Sequence, residues 1–193
     1  MVESSSKTVD PRVRRTRLLL HQALEELLKT KAFEEISIQD IADAATVNRA
    51  TFYDHYPDKF ALLECVVAGR FNALLASRGV KFDGSCSSAV RAIVLGVCDF
   101  LTADPGTTTC SERRVEEPHL ESAVIAVVKH MLLDGLRKSS EGNRSPEMTA
   151  AAASWAIYGA AKEWLKSAER GSSEQAAEAI MGLILPMMHA GQP

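Results

Sequence analysis

Apolar residues along the 193-residue chain recur at three- and four-residue spacing almost throughout, a pattern that predicts helices and leaves no useful strand alternation. Val13, Leu20, Ala23, Leu24, Leu27 and Leu28 mark a first helix near 11–31, with Lys29 and Lys31 near its end, where the helix dipole favours positive charge. Ser37 is placed to cap a second helix, and Asp40 stands three residues on as an acidic variant of the capping box. Asn48 is placed to cap a third. Pro57 fits the first turn of a fourth, whose apolar face carries Phe60, Leu63, Val67, Phe71, Leu74 and Leu75. The run VKFDGSCSS breaks the pattern before a fifth helix near 86–103, built on Ala89, Ile93, Val97, Phe100 and Leu101 and stopped by Pro105-Gly106. Residues 105–117 form a polar connection with room for one short helix. Leu120, Val124, Val127, Val128, Met131 and Gly135 define a helix over about 118–139, SSEGNRSP a loop, and two last helices cover about 146–169, ended by Gly171, and about 173–189. The predicted fold is all-α, with three N-terminal helices and roughly six behind them.

Hydrophobic residues make up 46% and charged residues 24% of the chain, which favours a packed core over disorder. The net charge of −3 suits a nucleic-acid binder only where positive charge is concentrated locally. Such a place exists: Lys7, Arg12, Arg14, Arg15 and Arg17 face only Glu3 and Asp10 in residues 1–17, a local +3, whereas 13 Lys/Arg face 15 Asp/Glu beyond residue 59. The RVRRTR run before a helix reads as a phosphate-contacting arm, against the plainer alternative of a solvated tail. Cys65, Cys86, Cys98 and Cys110 form no CxxC pair, and packing is their default role, with a redox switch as the less favoured one. His119, His130 and His189 are scattered, so no metal and no other cofactor is expected. Charges interrupt every early apolar run, and no stretch reaches the roughly 18 apolar residues of a membrane span. A cytoplasmic protein without a membrane partner is expected. No GxSxG, HExxH or P-loop occurs, so enzymatic activity is not expected.

Residues 37–62, SIQDIADAATVNRATFYDHYPDKFAL, read as two short helices joined by a tight turn, the second polar and followed by a lysine. That arrangement lays one helix across a DNA backbone and the next in the major groove. Ala42, Ala45, Val47, Thr51, Phe52, Tyr53, His55, Tyr56 and Lys59 match the run by which the TetR family of bacterial repressors is known, and the segment resembles that family's DNA-binding core. Ile38, Ile41, Ala42, Val47 and Phe52 are the expected small core. Thr46 stands where the family usually has Gly, which accepts positive φ freely as a β-branched residue does not.

The recognition helix is expected over residues 49–55, with Arg49 placed to reach a guanine edge. The resemblance implies DNA contacts for Thr51, Tyr53 and His55 and a phosphate contact for Lys59; Arg15, Ser37 and Asn48 complete the expected DNA-binding set. Taken singly, Tyr53 would pass for a half-buried aromatic, His55 for a helix C-cap and Arg49 for a partner of Asp43 or Asp54; together they form one polar face. The DNA-binding domain is expected over 1–56 and an effector-binding and dimerisation domain over 57–193. The resemblance implies a homodimeric repressor of a palindromic double-stranded operator, released by a small-molecule effector. Phe71, Leu74, Val97, Phe100, Leu101, Met131, Trp155 and Tyr158 are the candidate lining of the effector site. Glu163 and His130 are its candidate polar anchors. Ala152, Ala156, Gly159, Ala160, Trp164, Ile180, Leu183, Ile184 and Met187 are the candidate dimer surface. A helical ligand-binding protein, or an enzyme, that kept the fold without operator binding is the alternative.

Overall fold

The computed structural model describes residues 10–77, 87–102, 118–138 and 145–189. Lys7, Cys86, Cys110, the 105–117 connection and most of the 139–146 loop lie outside the described residues. Among those described there are eight α-helices and no strand: α1 (Pro11–Leu27), α2 (Ile38–Ala44), α3 (Arg49–Tyr53), α4 (Lys59–Ser77), α5 (Ser87–Thr102), α6 (Pro118–Lys138), α7 (Pro146–Lys166) and α8 (Ser173–His189). A 3₁₀ turn, Phe33–Glu35, lies between α1 and α2. The chain forms two compact units, one ending at Val66 and the other beginning at Val67, so the division falls inside α4.

Capping sets the helix ends in the first unit. The Asp10 carboxylate accepts from the Arg12 amide at 2.8 Å, with Pro11 in the first helical position. The Ser37 hydroxyl accepts from the Asp40 amide at 3.1 Å while the Asp40 carboxylate accepts from the Ser37 amide at 2.8 Å, closing the expected capping box. Asn48 accepts from the Ala50 amide at 2.9 Å. Two helix boundaries differ from expectation. α1 ends at Leu27 rather than near residue 31, because the Lys29 and Thr30 amides bond to Glu26 and Leu27 carbonyls in tighter turns. Pro57 lies ahead of α4 rather than in its first turn: the Asp58 carboxylate accepts from the Ala61 amide at 2.8 Å, and the helix begins at Lys59.

The turn between α2 and α3 closes α2 with a paired cap, Val47 N–H to Ala42 C=O at 2.9 Å and Thr46 N–H to Asp43 C=O at 3.0 Å. That cap requires a left-handed residue, and Thr46 supplies it at φ 56°. A β-branched residue in this conformation is strained by roughly 1–2 kcal/mol. Thr46→Gly is therefore expected to stabilise the protein by about 1 kcal/mol after the entropy that glycine costs. Urea denaturation measures it, and a lower midpoint in the variant would show that the threonine side chain contributes something the strain does not offset.

The core of the first unit is Leu20, Leu24, Phe33, Ile36, Ile41, Ala42, Phe52, Leu62 and Leu63, each at or near zero exposure. Ile38 and Val47, expected in this core, are only half-buried, and the interior is filled instead by Phe33 and Ile36, which the sequence reading did not place there.

In the second unit α7 packs against α6, α8 and α5, and α5 against α8. The buried faces are Ala89, Ile93, Val97 and Cys98 on α5, Leu120, Val124 and Val128 on α6, Ala150, Ala153, Ile157 and Ala161 on α7, and Ala177, Ile180 and Ile184 on α8. α4 enters this unit with Phe71, whose ring lies against Gly96; a Cβ built there would sit 2.9 Å from the ring, so only glycine admits this approach. α4 is, by length and composition alone, a helix that could cross a membrane, contrary to the expectation for every segment of the chain. Its residues Leu62, Leu63, Val66, Val67, Phe71 and Leu75 are instead buried inside the protein.

Candidate nucleic-acid interface

The surface built on α3 starts from its core. Phe52 is fully buried and meets the rings of Tyr53 at 5.6 Å and Tyr56 at 6.1 Å. Helical spacing then turns Arg49 and Tyr53 outward together. Arg49 is exposed, its guanidinium donates to the Tyr53 hydroxyl at 3.3 Å, and its Cζ lies 5.8 Å from the Tyr53 ring centroid. Tyr53 is 47% exposed: its ring packs against Phe52 while its hydroxyl meets Arg49 on the exposed side. Neither Asp43 nor Asp54 pairs with Arg49 among the described contacts; Asp43 accepts instead from Gln39 at 2.7 Å. Thr51 and His55 are half-buried beside this pair, and α3 itself ends at Tyr53, two residues short of the expected stretch.

The remaining expected DNA residues divide. Arg15 is exposed on α1. The Ser37 hydroxyl is occupied by the capping box, and the Asn48 side chain by its cap. Lys59 is turned inward: its ammonium donates to the carbonyls of Phe33 at 2.8 Å, Ile36 at 2.7 Å and Glu34 at 3.2 Å. The Asp40 carboxyl is held at about 2, first by the Ser37 hydroxyl, then by the Ser37 amide and by Lys31, so the cap stays ionised in any neutral buffer.

One polar cluster escaped the sequence reading. The Tyr56 hydroxyl lies 2.7 Å from His21 Nε2 on α1, under the Arg17 guanidinium at 5.7 Å from its ring centroid. Burial pushes Tyr56 up to about 12, helped by Cys65, and burial lowers His21 against the opposing pull of Glu25. The neutral pair thus fastens the C-terminal end of the α3 segment to α1. A polar His21 among Leu20, Ala23 and Leu24 on the inward face of α1 was the available signal. Cys98 is buried as packing predicts, but Cys65 is exposed, with its thiol pushed up by partial burial. Among the described residues no group of three His, Cys, Asp or Glu is placed to hold a metal.

Two short helices joined by a left-handed turn, the second presenting an arginine and a tyrosine, give this unit the geometry of a helix-turn-helix. Residues 20–66 match the bacterial regulatory proteins of the tetR family. The chain is 42% identical over 62 residues to an uncharacterised HTH-type transcriptional regulator, YxbF, of Bacillus subtilis, the match covering 32% of this chain and 16% of that protein. It is 37% identical over 64 residues to the HTH-type transcriptional regulator EthR of Mycolicibacterium smegmatis, covering 33% of this chain and 28% of that protein. The chain thus aligns with well under half the length of either relative. The fold as a whole is similar to the crystal structure of Lin0861 from Listeria innocua, with a TM-score of 0.63 at 23% identity over 91% of this chain and 92% of that one. Residues 20–66 therefore carry the similarity to the TetR family, and beyond them the likeness is one of fold.

Proposed function

We propose that the protein is a homodimeric transcriptional repressor that binds a palindromic duplex operator and is released from it by a small molecule. The observation that carries this reading is the outward Arg49–Tyr53 pair on α3, set on a buried Phe52 within a TetR-type helix-turn-helix. One such helix spans only a few base pairs, so specific affinity calls for two copies about 34–36 Å apart, hence two-fold symmetry.

A surface on the second unit supports the pairing. Met148, Trp155 and Leu183 are 74%, 60% and 69% exposed, an unusual state for large apolar side chains. They continue with exposed Ala152 and Gly159 along α7 and exposed Ala179 and Gly182 along α8. A Cβ built on Gly159 or Gly182 meets nothing within 4 Å, so both glycines leave room for a second backbone. The expected dimer set divides accordingly. Ala152, Gly159 and Leu183 face outward and Ala156, Ala160, Trp164 and Met187 are half-buried. Ile180 and Ile184 are 4% and 2% exposed and belong to the internal core, because α8 turns that face toward its own neighbours.

For the effector, Phe71, Val97, Leu101 and Tyr158 are buried and Leu74, Phe100 and Met131 half-buried, which keeps them as candidate lining. Trp155 leaves that set, being on the outward face of α7. Glu163 and His130 are both exposed, which leaves them outside any enclosed site. An effector acts by preferring a dimer state whose recognition helices are wrongly spaced.

Selection of bound duplexes from fragmented genomic DNA tests the reading; failure to retain any fragment at low salt would refute it. Within the selected site, Arg49→Ala is expected to relax preference at one base position by about 1–3 kcal/mol while leaving the others intact. Uniform weakening across all sequences would instead assign Arg49 to a phosphate.

A further inference from the structure

The geometry points to Lys59 as a positioning residue that locks the α1–α2 connection onto the start of α4, and not as a phosphate contact; this rests on the DNA-binding reading above. An ammonium carries three protons and no acceptor. Lys59 directs them at three carbonyls, those of Phe33, Glu34 and Ile36, at 2.8, 3.2 and 2.7 Å. Its Nζ also lies 4.6 Å from the centroid of the Phe33 ring, which is fully buried, and 5.9 Å from that of Phe60. Hydrogen bonds from a charged donor are stronger than neutral ones, and those shielded by an aromatic floor lose less to water.

The place of these carbonyls gives the contact its consequence. Ile36 directly precedes Ser37, the N-cap of α2, so the lysine holds the chain at the point where α2 begins. α2 packs on α3, and the Schellman-type turn between them has no slack, since its amides are committed to Ala42 and Asp43. Fixing the start of α2 therefore fixes the direction of the Arg49–Tyr53 face. To reach a phosphate, the Nζ would have to give up the carbonyls that hold that face in place. The distinction from a phosphate contact is one of geometry as well as charge. A compact ammonium can converge on three carbonyls around one point, whereas the planar guanidinium of arginine spreads its donors in a fork.

The test uses the full chain with Lys59→Met, which keeps the apolar stem, and Lys59→Arg, which keeps the charge. Binding of a labelled duplex of mixed sequence is followed by anisotropy across a range of salt, and hydrogen exchange is read at the amides of residues 33–41. Both variants are expected to bind about tenfold or more weakly, as loss of a charged hydrogen bond implies. The slope of log affinity against log salt is expected to match that of the unchanged protein, and exchange at the start of α2 to quicken about tenfold or more. The inference is overturned if Lys59→Met lowers the slope by about one unit while Lys59→Arg binds normally and exchange is unchanged in both. Should the unchanged protein bind no duplex, the functional reading fails, and the exchange data alone decide the clamp: unaltered exchange in both variants would refute it.

Discussion

Phe52→Ala is expected to destabilise the N-terminal unit by about 3–5 kcal/mol. The ring is at zero exposure and forms the floor under both Tyr53 and Tyr56, with an edge-on contact to Tyr53 at 5.6 Å. α3 has a single turn and a half, Arg49–Tyr53, too short to persist without tertiary support. Removing its one buried side chain takes away that support together with the cavity cost. Since domains are stable by only about 5–15 kcal/mol, such a loss consumes much of the margin. Urea denaturation followed by circular dichroism, with hydrogen exchange at residues 38–56, measures it. A midpoint within error of the unchanged protein would place the ring outside the core that organises the helix-turn-helix. Phe52→Leu retains more volume and is expected to lose less.

Leu183→Glu is expected to leave a folded monomer. The side chain is 69% exposed in the single chain, so the substitution costs little there. In the proposed dimer the same change occurs twice across the two-fold axis and buries charge against the Trp155 and Gly159 surface without a partner. An effect of about 3 kcal/mol or more on association follows, roughly a hundredfold in the dimer dissociation constant. Sedimentation equilibrium reads the state directly. Binding to a duplex with two half-sites should fall in parallel, while binding to a single half-site should hold. A variant that remained dimeric at the concentration of the unchanged protein would move the interface elsewhere.

Local chemistry carried much of the reading. Ser37 with Asp40, and Asn48, are each satisfied within three residues, and such short-range caps are visible in sequence. The same holds for Thr46, where a tight turn between two helices demands positive φ whatever residue stands there. Pro57 was legible as a boundary, but its position was not, because Asp58 competes for the cap.

Periodicity told apart apolar faces from polar ones but not inner from outer. Trp155 and Ile180 both lie on largely apolar helices, yet one is 60% exposed and the other 4%. A helix with apolar residues on both sides has two candidate cores, and only its neighbours decide which is buried inside the chain and which is offered to a partner.

The sequence by itself determined the all-α class and the helix-turn-helix, and marked Thr46 as an unusual turn residue, because caps, turns and helical spacing act over a few residues; the φ of 56° came from the structure. Only the tertiary structure decided that Lys59 bonds to carbonyls 23–26 positions away and that His21 meets Tyr56 across 35. A long, flexible cation reads the same in sequence whether it ends on a phosphate or on the protein's own backbone. What separates the two is where other helices place their acceptors, and that is a property of packing.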